Sequence, residues 1–275
     1  MPADAIASDV LSRSVGIGLP VVQGFALVLA RVAGLFSFAS LPGGRSLVDF
    51  GKAMFALSLT IALYPFWPKL EATSDPWKLA LWVLAEAAMG LTMGLMVALS
   101  QECLSFAMQL IATQAGYSYA TSIDPTSQAD SGVLPVIGQL FAGLLFFALG
   151  LDRHIISALA TSLQTMPPGE VTQLQLRAPA EAILRLFSAV FVTGLRLSLP
   201  VVALLLILDL SLALMGRLNA QLQLLTVAFP AKMLLSLTIV AICAPAMAMV
   251  FEKQAFQVME TLQQFVHPPP PQGAR

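Results

Sequence analysis

An all-α, polytopic membrane protein with about six long helices arranged as hairpins is the fold class this sequence predicts. Three observations predict it. Of the 275 residues, 57% are hydrophobic and only 11% are charged, too little polar material to cover a water-soluble globule of that size. Mean hydropathy is +0.83. The apolar residues gather into six segments, about 17–41, 47–66, 77–114, 133–163, 181–215 and 222–251, which approach or exceed the roughly 20 residues that cross a hydrocarbon core.

Each segment has a boundary with its own chemistry. Met1–Ser14 places Asp4 and Asp9 ahead of its one arginine, Arg13. It lacks the basic start of a cleaved signal peptide, so the first span is expected to stay in the mature protein. Leu41-Pro42-Gly43-Gly44 closes the first segment, Tyr64-Pro65-Phe66-Trp67-Pro68 the second and Met166-Pro167-Pro168-Gly169 the fourth; all are turn sequences. Glu170–Arg185 alternates charged, polar and apolar residues, as an interfacial segment or a loop does. Glu252–Val266 reads as a separate short amphipathic helix, and the tail HPPPPQGAR as disordered. Three segments are longer than a bilayer requires, which predicts tilt, kinks or continuation against protein partners. The excess favours an assembly subunit over an isolated pore.

Composition also excludes functions. A net charge of -1 with no Lys/Arg cluster argues against a nucleic-acid partner. Cys103 and Cys243 lie in apolar stretches without a Cys or His at metal-ligand spacing, so they read as packing residues. The histidines are His154, beside Asp152-Arg153, and His267 in the tail. Neither gives a serine–histidine pair at matched depth, and Asp124 and Asp209 share no motif that would make an acid/base pair. No catalytic residue, metal site or cofactor is expected. With six spans, Arg13, Lys69, Lys78, Arg153, Arg177, Lys253 and Arg275 fall on the side of the termini against Arg45, Lys52 and Arg217 on the other, which favours termini inside.

Charges inside spans are costly, about 2.5–3.5 kcal/mol each on insertion scales, and face protein or water. Arg31, Glu86, Arg196, Asp209 and Lys232 are such charges. They read either as a polar seam or conduit, or as groups that pair with a neighbouring helix or snorkel to the interface. Asp209 and Arg217, eight residues apart and near one helical face, leave an internal ion pair open. Glu86, Gly90, Gly94 and Ala98 recur every four residues, one face of a helix on which glycines let another backbone approach closely. Met89, Met93 and Met96 on the same helix read as soft core filler.

Between two uncharged runs stands TSIDPTSQADSGVLP, residues 121–135. Its turn chemistry fits an exposed hairpin loop. It also fits irregular backbone at membrane depth, which survives where protein or water satisfies its polar groups. A secondary transporter with a broken helix near Asp124 would need a matching polar break in the other half; Pro200, Pro230 and Pro245 supply none.

Taken in order, these residues resemble the FliR family, the export-gate subunit of bacterial flagellar type III secretion, together with its injectisome counterparts. Gln114-Ala115-Gly116-Tyr117-Ser118-Tyr119-Ala120-Thr121 followed by Ile123-Asp124-Pro125 is similar to the family's QMGLSFAT.vDP signature. Arg31-Val32, Pro42 with Arg45, Val133-Leu134-Pro135, Leu144-Leu145-Phe146-Phe147, His154, Leu163–Gly169, Leu218-Asn219, Gln221-Leu222, Phe229-Pro230 and Lys232 fall in family order around it. Two positions depart from the pattern. Gln109 stands where many relatives carry Glu, and Gly216–Gln221 lacks the proline that often precedes the glutamine.

The resemblance implies a non-enzymatic subunit, FliP-like over 1–180 and FliQ-like in the helical hairpin and C-terminal helix of 181–266, with 267–275 a disordered tail. It implies FliP-like and FliQ-like partner subunits, an FlhB-like switch subunit, contact with membrane lipid, and passage of unfolded exported proteins through a channel in the bacterial inner membrane. It makes about 115–131 the channel plug, with Ala115, Gly116, Tyr117, Ser118, Tyr119, Ala120, Thr121, Ser122, Ile123, Asp124, Pro125, Thr126 and Ser127 as its residues. Arg31, Glu86, Gly90, Gly94, Arg196, Asp209, Arg217, Phe229, Pro230 and Lys232 become the intramembrane polar and packing set.

Overall fold

The computed structural model describes residues 3–38, 49–67, 75–117, 132–169, 178–218 and 224–266. Among them the chain forms seven α-helices and one 3-10 turn, with no strand: α1 (Ala3–Phe38), α2 (Asp49–Ala62), the turn Tyr64–Phe66, α3 (Pro76–Ala115), α4 (Val133–Ala148), α5 (Leu151–Thr165), α6 (Ala178–Leu218) and α7 (Leu224–Val266). The fold is the expected all-α membrane class. Four helices contain spans long and apolar enough to cross a bilayer, Gly18–Phe38, Pro76–Ala115, Ile183–Arg217 and Ala228–Val266. A fifth arises if α4 and α5 act as one broken span. The 41 residues of α6 extend for roughly 60 Å at 1.5 Å per residue, about twice a hydrocarbon core.

Three elements differ from the sequence expectation. The fourth apolar segment is not one helix, because α4 and α5 meet at a bend of 67°. Gly150 supplies it with a positive φ of 66°, a conformation costly for any residue with a Cβ, and its N–H donates to the Phe147 carbonyl. The second segment is short, 14 residues in α2 followed by the 3-10 turn, where Trp67 Nε1 donates to the Thr60 carbonyl at 3.0 Å. Finally, Glu252–Val266 is no separate helix but the end of α7. Its buried side chains Phe251, Ala255, Val258, Met259, Leu262 and Val266 keep the three- and four-residue spacing of one helical face. The charges Glu252 and Lys253 are exposed and end the apolar composition without ending the helix.

The chain divides into two compact units. The first takes residues 1–98, 152–184 and 259–275, and its core includes Leu27, Val28, Val32, Leu35, Met93 and Leu159, all fully buried. Phe36 meets Phe55 edge-on at 5.0 Å between ring centroids, an aromatic contact that joins α1 to α2. The second takes residues 99–151 and 185–258, and buries Cys103, Leu104, Met108, Ile111, Val201 and Phe251. Here the side chain of Met108 lies where a Cβ on Gly138 would fall, 2.6 Å away, so α3 and α4 pack at a distance only glycine permits. The turns at 41–44, the stretch 170–177 and the tail 267–275 lie outside the described residues.

Candidate functional site

The intramembrane charges that the sequence singles out resolve into two constellations, one in each unit. In the first, Arg31 of α1 and Glu86 of α3 form an ion pair with no exposed side-chain surface, Nη2 to Oε2 at 2.6 Å, and Nε also donates to Oε2 at 2.6 Å. Arg31 reaches further than its carboxylate. Nη1 donates to the Ser162 carbonyl at 2.9 Å and Nη2 to the Met166 carbonyl at 2.9 Å. Both acceptors lie at the C-terminal end of α5, which carries partial negative charge; the Ser162 carbonyl also accepts from the Met166 N–H at 3.0 Å. The Met-Pro-Pro-Gly turn stops α5 as the sequence predicts, with Gly169 at φ 93°. Arg31 therefore caps one helix while pairing with another. Glu86 Oε1 is buried without a hydrogen-bond partner, so the guanidinium is the main compensation for that carboxylate.

The glycines explain why the pair fits. A Cβ on Gly90 would lie 2.0 Å from the Arg31 carbonyl oxygen, and one on Gly94 2.2 Å from that of Leu35. Gly34 answers from α1, where a Cβ would come within 2.6 Å of the Ala87 carbonyl oxygen. The Glu86–Gly90–Gly94 face thus packs against α1 of the same chain. Gly34 completes the contact and is a residue that sequence reasoning missed. Its signal was position, one helical turn after Arg31 in an apolar run.

The second constellation lies where α3 ends. Gly116 stops that helix with a φ of 85°, the left-handed conformation that glycine commonly supplies one residue past a helix end. A Cβ there would meet the Phe229 ring at 2.8 Å. On the turn before it, Gln114 Nε2 donates to Asp209 Oδ2 at 3.1 Å; on the residue after it, the Tyr117 hydroxyl donates to the Met233 carbonyl at 3.1 Å. The other Asp209 oxygen, Oδ1, pairs with Lys232 Nζ. Asp209 therefore joins α6 to α7 and both to the end of α3. Its partner is Lys232 across the α6–α7 hairpin, which corrects the pairing with Arg217 left open above. Eight residues along a helix is about 12 Å, too far for direct contact.

Other members of the set are scattered. Arg196 and Arg217 are exposed on α6, Arg217 in its last turn, where a cation complements the helix dipole. Pro230 is exposed within α7 and Phe229 half-buried. Of the expected plug, Ala115 is buried as the last residue of α3, Gly116 and Tyr117 are half-buried, and Ser118, Tyr119, Ala120, Thr121, Ser122, Ile123, Asp124, Pro125, Thr126 and Ser127 lie outside the described residues. No group of three His, Cys, Asp or Glu side chains among the described residues could hold a metal ion.

Comparison with known proteins places this arrangement. The family model for bacterial export proteins, family 1, matches residues 22–258, a range that contains both constellations. The flagellar biosynthetic protein FliR of Escherichia coli K12 is 30% identical over 221 residues, covering 80% of this chain and 84% of the relative. FliR of Pectobacterium carotovorum is 29% identical over 211 residues, 76% of this chain and 79% of the relative. FliR of Bacillus subtilis is 27% identical over 242 residues, 86% and 92%. With a match running from the first span almost to the end of the last, this chain belongs to the bacterial export proteins of family 1, the FliR family.

Proposed function

We propose that the chain is a non-enzymatic core subunit of the flagellar type III protein export gate, sited in the bacterial inner membrane at the flagellar basal body. It helps form the channel through which unfolded flagellar proteins leave, and residues 115–131 seal that channel when it is idle. FliP-like and FliQ-like subunits complete the ring and an FlhB-like subunit docks on it. In this reading residues 1–180 act as the FliP-like part and 181–266 as the FliQ-like part. Family membership supports the export assignment, and the names of the relatives favour the flagellum over an injectisome.

The observation that carries the seal is the end of α3. A 40-residue helix is halted by a left-handed glycine five residues before the polar stretch 121–135, and Gln114 and Tyr117, which flank that glycine, are tied to α6 and α7. A stretch that had only to connect two spans through water would need no such ties.

Two measurements test the proposal. A tagged chain purified in mild detergent should bring down FliP-like and FliQ-like subunits; a monodisperse monomer that transports a solute would refute it. Deleting Asp124–Asp130 should leave the complex assembled, because the flanking helices satisfy their own backbones, yet make it conduct ions. Equal, low conductance with and without the deletion in a confirmed complex would rule out the seal.

A further inference from the structure

We infer that Asp209 is the positioning residue for the stem of the loop, Gln114–Tyr117, and that through it the α6–α7 hairpin sets where the loop begins. The inference rests on the reading of 115–131 as the channel seal, but its structural content concerns described residues alone. Asp209 is the one carboxylate that touches the stem among those residues. It uses both oxygens, Oδ1 for Lys232 and Oδ2 for Gln114, so any change in the ion pair also changes the acceptor offered to the stem. Two more contacts come from α7, the Tyr117 hydroxyl on the Met233 carbonyl and the Phe229 ring against Gly116. Lys232, Met233 and Phe229 lie within one turn and a residue of each other on α7, so a shift of that segment moves all three ties together.

The far end of the loop is held differently. Gly132 begins α4 without a side-chain cap. Its carbonyl accepts a long bond of 3.4 Å from the Val136 N–H. Among the described residues, the side-chain hydrogen bonds that flank the loop fall on the stem, where the hairpin is positioned to pass a displacement to it.

The pair itself is accessible, with 34% of the Asp209 and 15% of the Lys232 side chain exposed. Solvent reaching such a pair screens its attraction and lowers the cost of parting its members. The pair thus retains freedom to rearrange, which is what a positioning contact needs if the loop is to leave its place during export.

The experiment uses the purified complex with all its subunits and reads two quantities. Hydrogen exchange of peptides covering Gln114–Tyr117 should accelerate by about tenfold in Asp209→Ala and in Gln114→Ala, since each removes a charge-assisted hydrogen bond that opposes local opening. Gln114→Ala leaves the ion pair intact and guards against a folding defect in the aspartate variant. The exchanged pair Asp209→Lys with Lys232→Asp should restore slow exchange, because an amide can accept from an ammonium as readily as it donates to a carboxylate.

Ion conductance of the same complexes should rise severalfold in both single variants and not at all further when either is combined with the Asp124–Asp130 deletion. Unchanged exchange at the stem in both single variants would overturn the positioning role whatever the conductance. Faster exchange with a loop deletion that stays sealed would instead leave the positioning role standing and refute the channel-seal reading. Faster exchange with a leaking deletion but tight single variants would overturn the claim that the hairpin governs the loop.

Discussion

The Arg31–Glu86 pair exposes none of its side-chain surface, whereas Asp209–Lys232 leaves a third of its carboxylate open. The first is walled in by glycine-mediated contact of α1 with α3 and by the end of α5; the second stands where α3 gives way to the loop. The apolar windows around them differ in the same sense. Those of α1 and α3 are 50% buried, and those of α6 and α7 only 22%. Large exposed residues such as Leu195, Leu199, Leu206, Leu210, Leu234 and Ile242 remain for lipid or for other subunits to cover. Burial of a charge pair is weak grounds for net stability, because desolvation offsets most of the attraction, but losing one member is severe. One pair is therefore a fixed joint, and the other is a contact that can be made and broken at small cost.

The glycines give the largest way to break that contrast. Replacing Gly90 and Gly94 together by leucine inserts side chains where even a Cβ would overlap the α1 backbone at 2.0 and 2.2 Å, and close-packed interfaces do not absorb such bulk. The expected outcome is no folded subunit and no assembled complex, read as loss of co-purifying partners and of export. Normal assembly of that double variant would show that α1 does not pack there.

Next comes Arg31. Its replacement by alanine leaves Glu86 buried and unpaired and removes the guanidinium donors to the Ser162 and Met166 carbonyls, of which the Ser162 carbonyl keeps the Met166 N–H. The cost should be about 3–5 kcal/mol, read as a large drop in thermal unfolding temperature in detergent. Arg31→Met with Glu86→Leu should lose less than either single change, because no lone charge remains. An equal or greater loss in the double variant would mean that capping α5 matters more than the pair.

How much of this was legible in the sequence follows from the same contrast. Arg31, Glu86, Gly90 and Gly94 were recognisable one by one, because an intramembrane charge and a four-residue glycine spacing are local signals. That Arg31 spans 131 residues to Ser162 was not, since no local pattern encodes which helix end lies opposite which side chain. Asp209 shows the same limit from the other side. The spacing along α6 offered Arg217, but the hairpin brings Lys232 closer. The bend at Gly150 had a signal in the charged residues Asp152-Arg153 that follow it, but a glycine within a largely apolar run is ordinary in membrane helices and did not by itself divide the segment. The helical character of the long segments and the stop at Pro167-Pro168-Gly169 were legible in full, for they depend on composition and backbone chemistry alone.

Asp209→Asn should sharpen the comparison. The amide still accepts from Gln114 but loses the ionic attraction to Lys232, and a pair this exposed contributes about 0.2–1 kcal/mol. Unfolding should shift little in the purified chain, several times less than for Arg31→Ala. A shift as large as that of Arg31→Ala would show that the pair is a second fixed joint within the chain itself.

Tyr117→Phe is the smallest change and the cleanest, since it removes one hydroxyl and keeps the ring. The lost bond to the Met233 carbonyl is neutral and half-buried, worth about 0.5–1.5 kcal/mol. The carbonyl belongs to a residue inside α7 and keeps its helical partner, so no buried group is left unsatisfied. Global stability should therefore stay within the error of a melt, while exchange at the Gly116–Tyr117 amides rises severalfold, less than in Asp209→Ala. The opposite pattern, a lower unfolding temperature with unchanged exchange at the stem, would mean that this hydroxyl supports the packing of α3 on α7. The second constellation would then be built for rigidity, as the first is, and the difference between them would be one of exposure alone.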